Sequence, residues 1–389
     1  MYSVADYGAM IADRVRTDAF ARALREAITP ESVVLDIGTG TGVLALLACR
    51  FGARRVYAVE PSDVIEVARE IAAANGFSER LEFLQATSTA VELPEQADVI
   101  VSDLGGALPW FQNHIPAIVD ARRRLLAPGG VLIPERDVAW AAVVDACDLY
   151  DRRTRPWTDN DFGLDMEAAR RIVVNSYTRG QIAEDQLLTE TVRWATLAYE
   201  VVDDPNLHAR VSWTVTRAGT GHGIAAGFDR TLVGGIKLSD APDAPEAERP
   251  RVYGTAFFPW LAPVELAVGD RVTVDLEAKL IGGDYVWSWK TRVVGGEGDG
   301  EDGAEKVSFA QSTFLGAPLS PATLRKQAAS HTPTLTEDGR IARLVLDAMS
   351  RGVALGEIAG LVSAEFPARF PHPEDALGHV AKLSRQFSA

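Results

Sequence analysis

The chain has 389 residues, 47% of them hydrophobic, and carries a formal net charge of -15 at pH 7. At ~100–200 residues per domain this length predicts two or three domains with ample core. An acidic surface repels phosphate backbones, so no nucleic-acid partner is expected.

Residues 1–30 read as helical, with Met10, Ile11, Val15, Ala19, Phe20 and Leu24 recurring near helical spacing until Pro30. Strands and helices then alternate. VVLDIG (33–38), RRVYAVE (54–60), LEFLQA (81–86), ADVIVSD (97–103) and GVLIP (130–134) read as strands. The helices are VLALLACRFG (43–52), VIEVAREIAAANG (64–76) and IPAIVDARRRLLAPGG (115–130). This alternation predicts a doubly wound, mostly parallel sheet, and the unbroken apolar strands fit burial on both faces. After Pro134 come strand-like runs rich in aromatic and β-branched residues, among them HGIAAGFDRTLV, VYGTAFFPWL and YVWSWKTRVV. They predict an antiparallel barrel or sandwich, interrupted by one helical insertion near 160–175. Trp287 and Trp289 alternate in such a strand and read as core. GGEGDGEDGAE (295–305) reads as a flexible acidic linker. From about Val307 the chain is expected to be helical, with three amphipathic segments that suffice for a small helical or winged-helix module.

Cys49 and Cys147 both lie in apolar runs and read as buried reduced thiols. With no charged-then-apolar leader and no apolar run of ~18 residues, a cytoplasmic protein without membrane association is expected. The spacing of the six histidines suggests no metal site.

The chemistry-bearing signal is Asp36-Ile37-Gly38-Thr39-Gly40-Thr41-Gly42, set between a strand and a helix. Glycines let the backbone turn sharply and approach a ligand closely. A nicotinamide loop wants G-x-G-x-x-G, whereas here the spacing is G-x-G-x-G behind an acid. S-adenosylmethionine carries no phosphate, and its ammonium can be drawn by such an acid. Glu60, at the end of the second strand and followed by Pro61, is placed to accept from both ribose hydroxyls. Ser88 and Thr89 follow the third strand and are candidates for the adenine edge. Asp103 ends the fourth strand in SDLGG (102–106), where a methyl acceptor would lie, and Gln112 and His114 follow on the same loop. Asp103 is the candidate to orient or deprotonate the acceptor.

These residues resemble the protein arginine methyltransferase family over roughly residues 5–295. MIADRVRTDAF (10–20) is similar to that family's N-terminal helix, and Arg16 matches the arginine that binds the methionine carboxylate. LAPGGVLIP (126–134) looks like the exit into the family's β-barrel, and FGLDM (162–166) like a motif in its dimerisation arm, which implies a homodimer. The sequence also departs from the family. Its two substrate-clamping glutamates correspond to Asp103 and Gln112, and its Thr-His-Trp loop to Arg251-Val252-Tyr253. One carboxylate plus an amide pairs poorly with a guanidinium.

The expected architecture is a seven-stranded, Rossmann-like α/β methyltransferase domain (1–134), then an antiparallel β-barrel (135–295) with a helical arm at about 147–175. An acidic linker (296–306) and a helical or winged-helix C-terminal module (307–389) follow. The expected activity is transfer of a methyl group from S-adenosylmethionine to nitrogen or oxygen of a peptide or specialised metabolite. Arginine on a protein is the alternative, and a non-catalytic peptide-recognition module a further one.

Overall fold

A computed structural model describes residues 2–296 and 304–388. The chain divides into two units, Met1–Pro318 and Leu319–Ala389.

In the first unit, helix α1 (Val4–Ala12) starts on a capping box between Ser3 and Asp6. Asp13 ends it and N-caps α2 (Arg14–Ala27), whose Phe20, Ala23 and Leu24 are buried. There follow β1 (Val33–Ile37), α3 (Val43–Arg50), β2 (Arg55–Val59), α4 (Ile65–Ala74), β3 (Leu81–Leu84), β4 (Ala97–Ser102), α5 (His114–Arg124) and β5 (Leu126–Ile133). The five strands form one all-parallel sheet in the order β3-β2-β1-β4-β5. The sheet has five strands rather than the expected seven, because after β5 the chain passes directly into an antiparallel sheet. Val34, Val56 and Val99 pack under the helices, while Val33, Leu35 and Ile100 face a second core. The strand order reverses between β1 and β4, and a crevice opens at the carboxyl ends of those two strands.

The antiparallel part comprises β6 (Arg136–Val144), the arm helices α6 (Cys147–Thr158) and α7 (Glu167–Val173), then β7 (Thr178–Gly180), β8 (Val192–Ala198), β9 (Leu207–Thr214), β10 (Gly219–Thr231), β11 (Lys237–Ser239), β12 (Thr255–Leu266), β13 (Arg271–Ile281), β14 (Asp284–Val294) and β15 (Glu305–Ser312). One sheet runs β7-β12-β10-β6-β8 with β11 beside β10; the other runs β15-β14-β13-β9. Their inner faces share a core built on Phe258, Trp260, Trp287 and Trp289, the last two inward-facing as expected. That core is continuous with one face of the parallel sheet.

Two expectations are corrected here. Val307 begins no helix, since residues 305–312 form β15 on β14, and the first unit extends to Pro318. The expected linker 296–306 falls largely on 297–303, outside the described residues. Cys49 is buried, but Cys147 is exposed at the first turn of α6, its apolar neighbours being strand residues on the far side of the turn.

In the second unit, α8 (Pro321–Gln327), α9 (Glu337–Met349), α10 (Leu355–Glu365) and α11 (Pro373–Phe387) follow. Ile341, Val345, Ile358, Val362, Phe366 and Val380 form its core. Among the described residues this unit is all helical, so the winged-helix expectation reduces to a helical module.

Candidate functional site

A cavity of about 400 Å³ occupies the crevice at the ends of β1 and β4. Its floor is the loop after β1. Gly38, Gly40 and Gly42 have φ of 73°, 54° and 87°, a left-handed backbone that only glycine adopts freely. A side chain at Gly38 would strike Leu104, and one at Gly40 would strike the ring of Tyr7. The loop is tied down by N–H groups of Gly38 and Thr39 donating to Val59 O, at 2.8 and 3.1 Å.

Asp36 and Glu60 both line the cavity. Asp36 accepts from Thr39 Oγ1 at 2.6 Å and Ala45 N–H at 3.0 Å. Burial pushes its carboxyl up to about 6, with those two bonds offsetting part of the effect. Glu60 accepts from Gly40 N–H at 3.2 Å and from Ser62 N–H and Oγ at 3.0 and 2.7 Å, so the second strand's acid fixes the first strand's loop. Pro61 lines the cavity beside it. Tyr7, Met10 and Ile11 of α1 form a roof. Burial, then Glu60, pushes the Tyr7 phenol up to about 12.

Arg16 enters from α2. Its Nε donates to Asp103 Oδ2 at 2.7 Å, while Nη1 is buried without a protein partner. An unsatisfied buried guanidinium N–H in the cavity wall fits the carboxylate of a bound amino acid. Together with Asp36, the glycine loop and Glu60, it suits the residues to S-adenosylmethionine.

Asp103 is the junction of the site. Beyond Arg16, it accepts from Arg230 Nη1 at 2.5 Å and from Tyr253 Oη at 3.1 and 3.0 Å. Burial alone would raise its carboxyl, but Arg16 and Arg230 overcome this and hold it below the ordinary carboxylate range. A carboxylate so held is a poor proton acceptor. Arg230 is fully buried and is gripped by Asp137 through two 2.8 Å bonds. Tyr199 donates to Asp137 at 2.6 Å and lies 2.9 Å from His114 Nε2.

Three of the expected site residues lie elsewhere. His114 is buried at the start of α5 against Tyr199, because its helix turns that face toward the antiparallel sheet; it does not line the cavity. Burial, then the nearby Arg230, lowers its imidazole to about 4. Ser88 and Thr89 form a short turn after β3 and do not line the cavity; Ser88 is buried and its carbonyl accepts from Arg124. Gln112 does line it, exposed and at φ 43°, an uncommon conformation for a side chain of this length.

Arg230, Asp137 and Tyr199 escaped the sequence reading. Arg230 and Asp137 each stand next to an opposite charge in sequence, Asp229 and Arg136, and only the register makes them partners of each other. Arg179 of β7, exposed at the cavity wall, was also missed.

This parallel fold, with its glycine loop and two strand-end acids, defines an S-adenosylmethionine-dependent methyltransferase. A family model described as ribosomal protein L11 methyltransferase (PrmA) matches residues 16–134. Protein arginine N-methyltransferase 6 of Xenopus tropicalis is 31% identical over 248 residues, covering 60% of this chain and 72% of the frog protein. A probable protein arginine N-methyltransferase 6 of Arabidopsis thaliana is 34% identical over 165 residues, 42% of this chain and 38% of that protein. The chain belongs to the protein arginine N-methyltransferase family. Among solved structures, the Trypanosoma brucei PRMT1 enzyme-prozyme complex with AdoHcy superposes with TM-score 0.68 at 21% identity, over 79% of this chain and 97% of that one. Arabidopsis thaliana protein arginine methyltransferase 10 gives TM-score 0.68 at 21% identity, over 80% and 97%. At these identities the likeness is one of fold.

Proposed function

We propose that the protein transfers a methyl group from S-adenosylmethionine to a side-chain nitrogen of a protein or peptide, arginine being the acceptor for which its relatives are named. The observation that carries the reading is the single cavity between the cofactor residues Arg16, Asp36 and Glu60 and the acceptor loop of Asp103 and Gln112. The bound sulfonium supplies an activated methyl group. The chain's own task is then to place an acceptor lone pair behind that group and to keep water out. Arg16 holds the cofactor carboxylate, Asp36 its ammonium and Glu60 its ribose. Tyr7, Met10 and Ile11 close the roof. Transfer to the acceptor would leave the electron pair of the broken methyl–sulfur bond on the departing sulfur. The acceptor's proton leaves to solvent, since Asp103 is held ionised by its arginines.

A second reading, an uncharged nitrogen or oxygen acceptor on a peptide or specialised metabolite, is favoured by one observation. Both oxygens of Asp103 are already engaged, and the loop's other acid position holds Gln112. Incubation with methyl-labelled cofactor and matched peptides with and without arginine, read by mass spectrometry, separates the two. Label only on arginine-free substrates would sink the first reading. For assembly we propose a homodimer through the arm, where Phe162 and Leu164 are 83% and 60% exposed between α6 and α7.

A further inference from the structure

The acceptor wall of the cavity carries an internal guanidinium. Arg230 donates Nη1 to Asp103 and its other two nitrogens to Asp137, with both Arg230 and Asp137 fully buried. Its guanidinium lies 4.8 Å from the ring centre of Phe228 and 5.5 Å from that of Tyr253, the aromatic environment a guanidinium prefers. The register sets Arg230 directly opposite Asp137, so the planar fork meets the carboxylate head-on. Asp103 receives Arg16 on Oδ2, Arg230 on Oδ1 and the single proton of the Tyr253 hydroxyl, which lies 3.1 and 3.0 Å from the two oxygens, so both oxygens are engaged. Two guanidiniums and two carboxylates close this buried cluster at zero net charge. The rest of the acceptor side is neutral or positive: Leu104, Phe111, Gln112, Val252 and the cation Arg179.

We propose that Arg230 is a built-in guanidinium that fills the carboxylate clamp at Asp103, so that the site receives its acceptor in uncharged form. The proposal rests on the methyltransferase reading of the cavity and sides with its second form, an uncharged acceptor, against arginine. An external cation finds no free carboxylate there and meets Arg179 on entry. Arg230 cannot swing aside, because leaving would strand Asp137 as a buried unpaired charge. Arg230 is thus a specificity-determining residue that acts through Asp103.

The test uses the full chain saturated with S-adenosylhomocysteine, as wild type, Arg230→Ala and Arg230→Lys. Calorimetry measures binding of N-acetylarginine amide and its uncharged counterpart N-acetylcitrulline amide, and thermal melting measures stabilisation by low-millimolar guanidinium chloride. Wild type is expected to bind the citrulline probe at least as tightly as the arginine probe and to gain nothing from guanidinium. Arg230→Ala, with Asp103 and Asp137 vacated, is expected to favour the arginine probe by about tenfold or more and to melt higher with guanidinium. A tenfold preference of wild type for the arginine probe overturns the proposal. So does an Arg230→Ala protein that guanidinium does not stabilise, whether or not either probe binds. If Arg230→Ala does not fold, Arg230→Lys decides. One ammonium cannot span both carboxylates, so guanidinium must stabilise that variant or the proposal fails. Cofactor uptake by wild type is measured separately. Its absence sinks the methyltransferase reading, whereas normal uptake with unchanged probe selectivity sinks only the role of Arg230.

Discussion

Arg230 and Asp137 face each other across β10 and β6, joined by two parallel 2.8 Å hydrogen bonds with neither side chain exposed. Breaking such a pair from one side strands a charge and costs about 3–5 kcal/mol, whereas replacing both partners by apolar groups is often neutral. Asp137→Leu and Arg230→Met are therefore each expected to lower the melting temperature markedly, and the double variant to recover most of the loss. Melting curves of the four proteins check this; additive losses would show that the two residues act independently.

The raised carboxyl of Asp36 gives cofactor affinity a pH dependence. Its value is about 6 with burial as the main cause, so above that pH it is a carboxylate that attracts the cofactor ammonium. Protonation as pH falls through about 6 removes the attraction. The dissociation constant for S-adenosylmethionine is expected to rise several-fold between about pH 8 and about pH 5, and to stay nearly flat in Asp36→Asn. Calorimetry at the two pH values measures it, and parallel curves would exclude Asp36 as the titrating group.

Asp240 lies under Trp140 Nε1 at 2.6 Å and Phe228 N–H at 2.8 Å, yet burial pushes its carboxyl up to about 8. The folded state therefore holds its proton more tightly than the unfolded state does. Its share of stability is whole below the ordinary value of 3.8, declines as pH rises, and is gone above about 8. Asp240→Asn keeps the acceptor oxygen and removes the titration. Relative to wild type, the variant is expected to gain stability steadily from about pH 5 to about pH 8 in denaturant titrations. A constant difference would mean that Asp240 does not titrate there.

Gln112→Glu restores the charge at the loop's second acid position. If this loop faces the acceptor, the KM for arginine peptides is expected to fall by a few-fold while kcat changes little, because Asp103 stays engaged with Arg230. Combining it with Arg230→Ala is expected to lower KM further. Steady-state kinetics on one arginine peptide measures both, and a raised KM in Gln112→Glu would place the acceptor away from this loop.

The parallel sheet was legible because its strands are buried on both faces and read as apolar runs between glycine stops. Asp36, Glu60 and Asp103 were legible for a related reason: each is a charge at the carboxyl end of such a run, where the chain must leave the core. β15 was hidden behind the glycine-rich acidic stretch before it, and its strand character comes from pairing with β14. His114 misled because proximity along the chain stood in for direction; one turn of α5 points it away from Asp103. The Arg230–Asp137 pair could not be read at all, since their 93-residue separation closes only through strand register.

Asp13 caps α2 with one oxygen, at 3.3 Å from Arg16 N–H, and with the other receives the N–H groups of Arg251 and Val252 at 2.7 and 2.9 Å. It therefore clamps α2 to the loop carrying Tyr253, while α1, with no buried residue, departs from that same position. One carboxylate at Asp13 thus fixes both the helix that supplies Arg16 and the loop that supplies Tyr253, so a substitution there would disturb two walls of the cavity at once.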